Sequence, residues 1–388
     1  MKKIPMLDLK REYEYMKDDI DSTIRQCLDH QQWIFGPEIK QLEDALSAHL
    51  GVAHCVGTSS GTEALVLSLR ALAIKLRGQE YFDMNDEIIT TPLTFTATGD
   101  AILRSGATPV FIDIDPVTYN IDPFKVREYL SQNAPRVIGI VPVHLYGRAC
   151  HMDEIMDMAR QYNLFVVEDV AQAFGGKWKG RNLGSMGTTG AFSFFPSKNL
   201  GGFGDGGMTS TDDDEIAEIV RMLIKHGGRD KYNVDHIGYN ARLDTLQAAI
   251  ILTKFKYIDD FNGRRRNIAE HYTKGLENIA GLSIPVSTSL SSVHHVYNQY
   301  TIRVLDGKRN ALQDHLKAKN ISTMVYYPVP LHQMKIFQGK DRKGNPPCMN
   351  AEKAVREVLS LPVEPLQDEE DTQYVVDCIR EYFSNAHS

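Results

Sequence analysis

Apolar positions along this 388-residue chain recur in two rhythms, one of helical period and one of short unbroken runs. Helical spacing covers about Glu12 to His30 and begins again near Pro37, with Ile39, Leu42, Leu46 and Leu50 on one face. Proline suits the first turn of that second helix. From there runs and helical stretches alternate. "HCVGTSS", "DEIITTP", "TPVFIDID", "RVIGIVPVHL", "LFVVEDV" and "TGAFSFF" read as strands. "GTEALVLSLRALAI", "TATGDAILRSG", "DPFKVREYL" and "HMDEIMDMARQYN" read as the helices between them. The runs are apolar on both faces, which predicts a mostly parallel sheet covered by helices on each side. A long helical stretch starts at "ARLDTLQAAIILTKFKYIDDF". After "GLSIP" the pattern restarts with strand "QYTIRVL", helix "KRNALQDHLKAKN", strand "TMVYY" and two further helices. The expected organisation is α/β: an N-terminal segment and large domain over 1–256, then a smaller α/β domain over 257–388.

Composition changes this picture in few places. The length exceeds what one compact core organises, in keeping with two domains. A net charge of −7 argues against a nucleic-acid partner, so an anionic ligand must be held by local donors. Five cysteines are scattered without a CxxC pair, which points to a reducing compartment. "MKKIPMLDLKREY" lacks the apolar stretch of a signal peptide, and no run approaches membrane-spanning length, so a cytoplasmic protein without a membrane partner is expected.

Ligands of parallel sheets gather at the carboxyl ends of the strands. "SSGT", "EDVAQ" and "PSK" stand at three such ends and should converge. Each has a bland reading and a chemical one. Lys198 is either a surface lysine at a turn or a carbonyl-reactive amine. Five glycines between Gly201 and Gly207 follow it, and so many suggest that something bulky approaches the backbone. Asp169 either caps a helix or pairs with a buried cation such as a pyridine nitrogen, with Gln172 three residues on. At about 4 Å and an effective dielectric near 20, that pair is worth roughly 4 kcal/mol, about three pKa units before desolvation. The stretch Ser60-Gly61-Thr62-Glu63 is a capping box in text, and also a strand running into helix-end amides that suit a phosphate. Phe95 is either core or a stacking surface for a planar ring. Taken together, a phosphate cradle, an aromatic face, an acid for a ring nitrogen and a lysine are the parts a pyridoxal phosphate site needs.

The chain resembles the DegT-type nucleotide-sugar aminotransferases, fold-type I pyridoxal phosphate enzymes of aspartate aminotransferase-like architecture. The resemblance runs from "PMLDLKREY" to "SLPVEP" through "SSGTEAL", "TPLTFTAT", "DIDPVTYNIDP", "PVHLYG", "EDVAQAFGG", "SFFPSKNLGGFGDGG", "GYNARLDTLQAAI" and "YYPVPLH". It implies that Lys198 binds the cofactor covalently and then shuttles protons, that Asp169 pairs with the pyridine nitrogen, and that Gln172 contacts the phenolic oxygen. Phe95 would stack on the ring. Gly61, Thr62 and Ser193 would hold the phosphate, with Asn240 reaching it from the neighbouring subunit of a homodimer. Arg242, Tyr326, Tyr327 and His332 fall in segments that line the nucleotide-sugar pocket of similar enzymes. His226 and Arg229 belong to a loop that either crosses the dimer or is merely solvated. Relatives that dehydrate carry histidine at the position of Lys198, so lysine implies transamination. Pyridoxal 5′-phosphate would cycle through pyridoxamine 5′-phosphate, with L-glutamate as donor and a nucleotide-diphosphate sugar as acceptor. The products of such enzymes serve polysaccharide, lipopolysaccharide O-antigen or deoxyaminosugar biosynthesis. "NLGGFGDGG" is similar to members that aminate a 3-keto sugar; the alternatives are C4 amination, or a non-catalytic regulatory protein on the same fold. One departure stands out: "LAIKLRGQEYFDMNDEII" is a longer link than relatives carry, which sets apart the stretch from Arg77 to Met84.

Overall fold

The computed structural model describes residues 3–230, 232–286, 292–339 and 346–385. At its centre lies a seven-stranded sheet. Its strands are β1 (His54–Thr58), β2 (Glu87–Thr90), β3 (Thr108–Phe111), β4 (Val137–Val141), β5 (Phe165–Asp169), β6 (Thr189–Ser193) and β7 (Gly207–Thr211), in spatial order β1-β7-β6-β5-β4-β2-β3. All run in one direction except β7, which is antiparallel to both of its neighbours. Successive strand residues enter opposite cores. Cys55, Ile89, Ile140, Val166 and Phe192 belong to one cluster; Val56, Ile88, Val141, Val167 and Ala191 belong to the other. That two-sided burial is why the runs are apolar without alternation.

Helix Gly61–Arg77 covers one face, capped at its start by Ser60 and ended by Gly78 in the left-handed region. Helices Pro37–Leu50 and Met152–Tyr162 bury their apolar stripes in the cluster on the other face. The first helical stretch is divided: Leu9–Tyr15 and Lys17–His30 meet at a bend on Met16, which turns Met16 and Ile20 onto Ile250 and Phe261. The long stretch after Arg242 is likewise two helices, Thr245–Phe255 and Ile258–Leu276.

A second sheet of three antiparallel strands joins Leu282–Ser283, Tyr300–Val304 and Val358–Leu361. Helices Ile258–Leu276, Arg309–Ala318 and Glu369–Asn385 share its core. "TMVYY" is not a strand of this sheet. Met324 makes a single bridge to Ser360, and the chain then leaves to place Tyr326 and Tyr327 beside Tyr146 and Leu93. Val358–Leu361 takes the third position. All five cysteines are buried and unpaired. Among the described residues no helix is long and apolar enough to cross a membrane.

Candidate active site

Thr58, Asp169 and Ser193 end β1, β5 and β6 at the same edge of the sheet, so the three segments do converge. Ser60 Oγ accepts the Glu63 amide at 3.1 Å and caps the helix. The reciprocal half of a capping box is absent, because the Glu63 carboxylate pairs with Arg104 at 2.8 Å. The amides of Gly61 and Thr62 head the helix, before its first intrahelical bond, and the helix dipole adds to their pull on an anion. A Cβ on Gly61 would lie 2.5 Å from Ser193 Cβ, so the cradle and Ser193 are in direct contact. The register explains the proximity: Gly207 pairs with Thr58 on one side and Ser193 on the other. Lacking a side chain, it lets the backbone of Ser60 cross.

The glycine loop after Lys198 does have something bulky against its backbone. The bulky neighbour is protein. Side chains added at Gly202 and Gly204 would meet Gln247, and one at Gly206 would meet Leu243 and Phe194. The Phe203 amide donates to Gln247 Oε1 at 2.9 Å. The loop is thin because helix Thr245–Phe255 packs against it.

Lys198 is partly buried, in a turn closed by its own amide on the Phe195 carbonyl at 2.8 Å. Burial pushes its ammonium below the usual lysine range, and the charge of Asp169 opposes that shift. Asp169 is buried, and burial raises its carboxyl above the ordinary aspartate value. Against this act Thr98, whose Oγ1 donates to Oδ2 at 2.8 Å, the Ala171 amide at 3.1 Å from Oδ1, and the charge of Lys198. Because Thr98 gives its proton to Asp169, its oxygen accepts from Thr94 Oγ1, 3.0 Å away. Sequence reasoning missed Thr98; the signal available was the Thr94/Thr98 spacing, one turn apart at a helix start. It also missed Glu168. That fully buried carboxylate accepts from the amides of Gly184, Met186 and Gly187 and lies 3.1 Å from His144 Nε2. Burial pushes its pKa up, but His144 and these amides outweigh it and hold Glu168 below its ordinary value.

Gln172 is buried with both ends of its amide engaged. Its Nε2 donates to Tyr327 Oη at 2.8 Å, and its Oε1 accepts the Tyr146 amide at 2.8 Å. Tyr327 also faces Phe95, with ring centroids 6.1 Å apart, and the Phe95 ring is exposed rather than core. Tyr326 accepts the Tyr146 hydroxyl at its carbonyl oxygen. His332 lies 3.0 Å from Glu352 through Nε2 and buries an unpartnered Nδ1. Arg242 stands elsewhere, bridged to Thr58 at the end of β1, beside the cradle. Asn240, two residues before it, is exposed. His226 and Arg229 do not join the others in this chain: His226 is exposed, and Arg229 pairs with Glu218 on the surface at 3.2 Å.

A separate cluster of Cys27, His30 and Glu38 has the composition of a metal site. His30 Nδ1 accepts the Gln32 amide, so Nε2 carries the proton that faces Glu38 and has no lone pair to give.

A buried carboxylate, answered at a distance by a lysine whose own charge burial disfavours, leaves room for a second cation beside it. A protonated pyridine ring supplies it, and its phosphate suits the amides one strand end away. The residues present therefore fit pyridoxal 5′-phosphate, and on this α/β framework they define a fold-type I aminotransferase. Comparison with known proteins agrees: residues 14–380 match the DegT/DnrJ/EryC1/StrS aminotransferase family, and the chain belongs to it. It is 42% identical over 381 residues to a "Pleiotropic regulatory protein" of Geobacillus stearothermophilus, covering 98% of each chain. It is 40% identical over 377 residues, 97% of each chain, to the UDP-N-acetyl-3-dehydro-alpha-D-glucosamine 3-aminotransferase of Acidithiobacillus ferrooxidans. The crystal structure of S. venezuelae DesV with a ketimine intermediate superposes with a TM-score of 0.91 at 36% identity, covering 99% of both chains.

Proposed function

We propose that this chain transfers the amino group of L-glutamate to the C3 keto carbon of a nucleotide-diphosphate sugar. It would work as a cytoplasmic homodimer supplying amino sugars for polysaccharide or deoxyaminosugar synthesis. The observation that carries the reading is the buried Asp169 at the end of β5 within electrostatic reach of Lys198, which lies in the turn after the neighbouring parallel strand β6, with burial lowering the lysine's pKa. The C3 assignment draws on the 3-aminotransferase relative and on the glycine loop after Lys198. Unpaired buried cysteines accord with a reducing compartment.

Bound pyridoxal phosphate supplies an electron sink for the pair left when a proton leaves the amino acid. Lys198 Nζ takes the Cα proton of the donor and later delivers a proton to the sugar carbon being aminated. Asp169 keeps the ring nitrogen protonated, and Thr98 and Ala171 hold the carboxylate in place for it. Gln172 offers its second N–H to the phenolic oxygen, and Phe95 covers the ring. Gly61, Thr62 and Ser193 bind the phosphate, with Asn240 of the second subunit completing that site. Tyr326, Tyr327 and His332 face the sugar nucleotide, between the unit ending near residue 256 and the unit that follows, and Arg242 would reach it from beside the end of β1.

The test is a panel of 3-keto and 4-keto sugar nucleotides with L-glutamate, scored by mass spectrometry for amino sugar and 2-oxoglutarate. Ping-pong kinetics and 3-amino products are expected. Preference for 4-keto substrates overturns the C3 assignment, and sequential kinetics overturns the scheme.

A further inference from the structure

The long link that sets this chain apart, from Arg77 to Met84, meets a second segment far away in sequence. Arg70, on helix Gly61–Arg77, has a fully buried guanidinium. Its Nη2 lies 2.7 Å from Glu80 Oε2 and 3.0 Å from the Ile237 carbonyl oxygen, and its Nη1 donates to Tyr239 Oη at 2.6 Å. Its Nε donates to the Glu80 carbonyl oxygen, and the Tyr81 ring stacks on the guanidinium at 3.9 Å. The Glu80 carboxylate then reaches onward. Oε2 accepts the Ile237 amide at 3.1 Å, and Oε1 is 2.9 Å from His236 Nδ1. One arginine thus holds both the link and the loop of residues 226–239, and one carboxylate ties them together.

That loop is closed at its neck. The His226 amide donates to Tyr239, the Tyr239 amide donates to Leu223, and Lys225 bridges to Asn240. Immediately after it the Ser59 amide donates to the Ala241 carbonyl oxygen at 2.8 Å, which fixes the chain to the cradle end of β1. Asn240 stands between these two anchors. Without Glu80, the His236–Ile237 side of the loop would keep its backbone bonds to Gly227 and its contact with Arg70, a buried cation then lacking its acid, while Arg229 would still pair with Glu218.

We propose that Glu80 is a positioning residue: the link clasps the 226–239 loop through Arg70, His236 and the Ile237 amide, and so fixes Asn240 where it meets the phosphate of the partner subunit's cofactor. This rests on the reading of Asn240 given above. Glu80 touches neither cofactor nor substrate. It acts through a loop whose Val234 and Ile237 side chains are exposed in the single chain.

The test compares Glu80→Gln, which keeps the shape and loses the charge, with Glu80→Ala and Asn240→Ala. Amide exchange is followed in the apoprotein, and affinities are measured for pyridoxal 5′-phosphate and for pyridoxal, which lacks the phosphate. In Glu80→Gln the Ile237 amide, which donates to the carboxylate, should exchange about tenfold to a hundredfold faster, the scale of one hydrogen bond to a charged group. Pyridoxal phosphate should bind several-fold more weakly while pyridoxal binds as before; a merely structural defect would weaken both. Unchanged loop exchange in Glu80→Gln overturns the clasp. Faster exchange with unaltered phosphate discrimination overturns the positioning role. If Asn240→Ala also leaves that discrimination intact, the fault lies in the reading of Asn240, and the clasp stands as a loop anchor alone. Should Glu80→Ala fail to fold, Glu80→Gln carries the decision.

Discussion

Gly61→Ala perturbs the phosphate cradle by a single methyl group. The new Cβ would lie 2.5 Å from Ser193 Cβ and 3.0 Å from both its Cα and its Oγ, where ordinary contact begins at 3.4 Å. Ser193 is held in β6 by its pairing with Gly207, so the helix start must give way, by about 1 Å. A hydrogen bond made near 2.9 Å does not survive a retreat of that size. Losing one amide bond to an anion costs about 1.5–3 kcal/mol, or roughly tenfold to a hundredfold in affinity. The assay is equilibrium binding of pyridoxal 5′-phosphate and of pyridoxal, read by absorbance. Gly61→Ala should weaken the first by that factor and leave the second within about threefold. Equal weakening of both ligands, or none of either, would refute the cradle.

Lys198→Ala should abolish turnover while circular dichroism and melting show a folded protein; normal turnover rejects the assignment. Burial lowers the Lys198 pKa, so between that value and 10.5 the native state holds fewer protons than the unfolded one, and stability rises with pH. Apoprotein carrying Lys198→Met should therefore melt above wild type at pH 7, with the gap closing as pH climbs toward 10.5; a gap that widens contradicts the burial argument. Thr98→Val removes the hydroxyl that favours the Asp169 carboxylate, raising the pKa of that acid. The acid-side loss of cofactor affinity should then move up by roughly one to two pH units. Thr98→Ser should not move it, and identical profiles for all three proteins would dismiss Thr98.

Much of this was legible because burial on two faces writes itself into β1 to β6 as unbroken apolar runs. Lys198, Asp169 and the Ser60–Thr62 stretch could be singled out because each ends such a run. What the sequence could not show is direction: nothing in "GMTST" says that β7 enters antiparallel between β1 and β6. "TMVYY" has strand composition, yet its tyrosines are drawn to Tyr146 and Gln172, and the edge goes to Val358–Leu361. Thr98 and Glu80 contact partners 71 and 156 residues away; the Thr94/Thr98 spacing marks a helix start but not which carboxylate it meets, and nothing local marks the contact of Glu80 with His236. The five glycines announced a close neighbour without naming it, because a thin loop looks alike in text whether a ligand or a helix lies against it.

The rung joining Thr58, Gly207 and Ser193 has a consequence for anyone exchanging parts between these enzymes. Ser193 and Gly207 are partners, so everything between them, Lys198 included, is a closed span whose two feet stand on the cradle. Lengthening or shortening that span would shift Lys198 against Gly61 and Ser193 at one stroke. A graft meant to redirect which carbon receives nitrogen must therefore preserve its residue count.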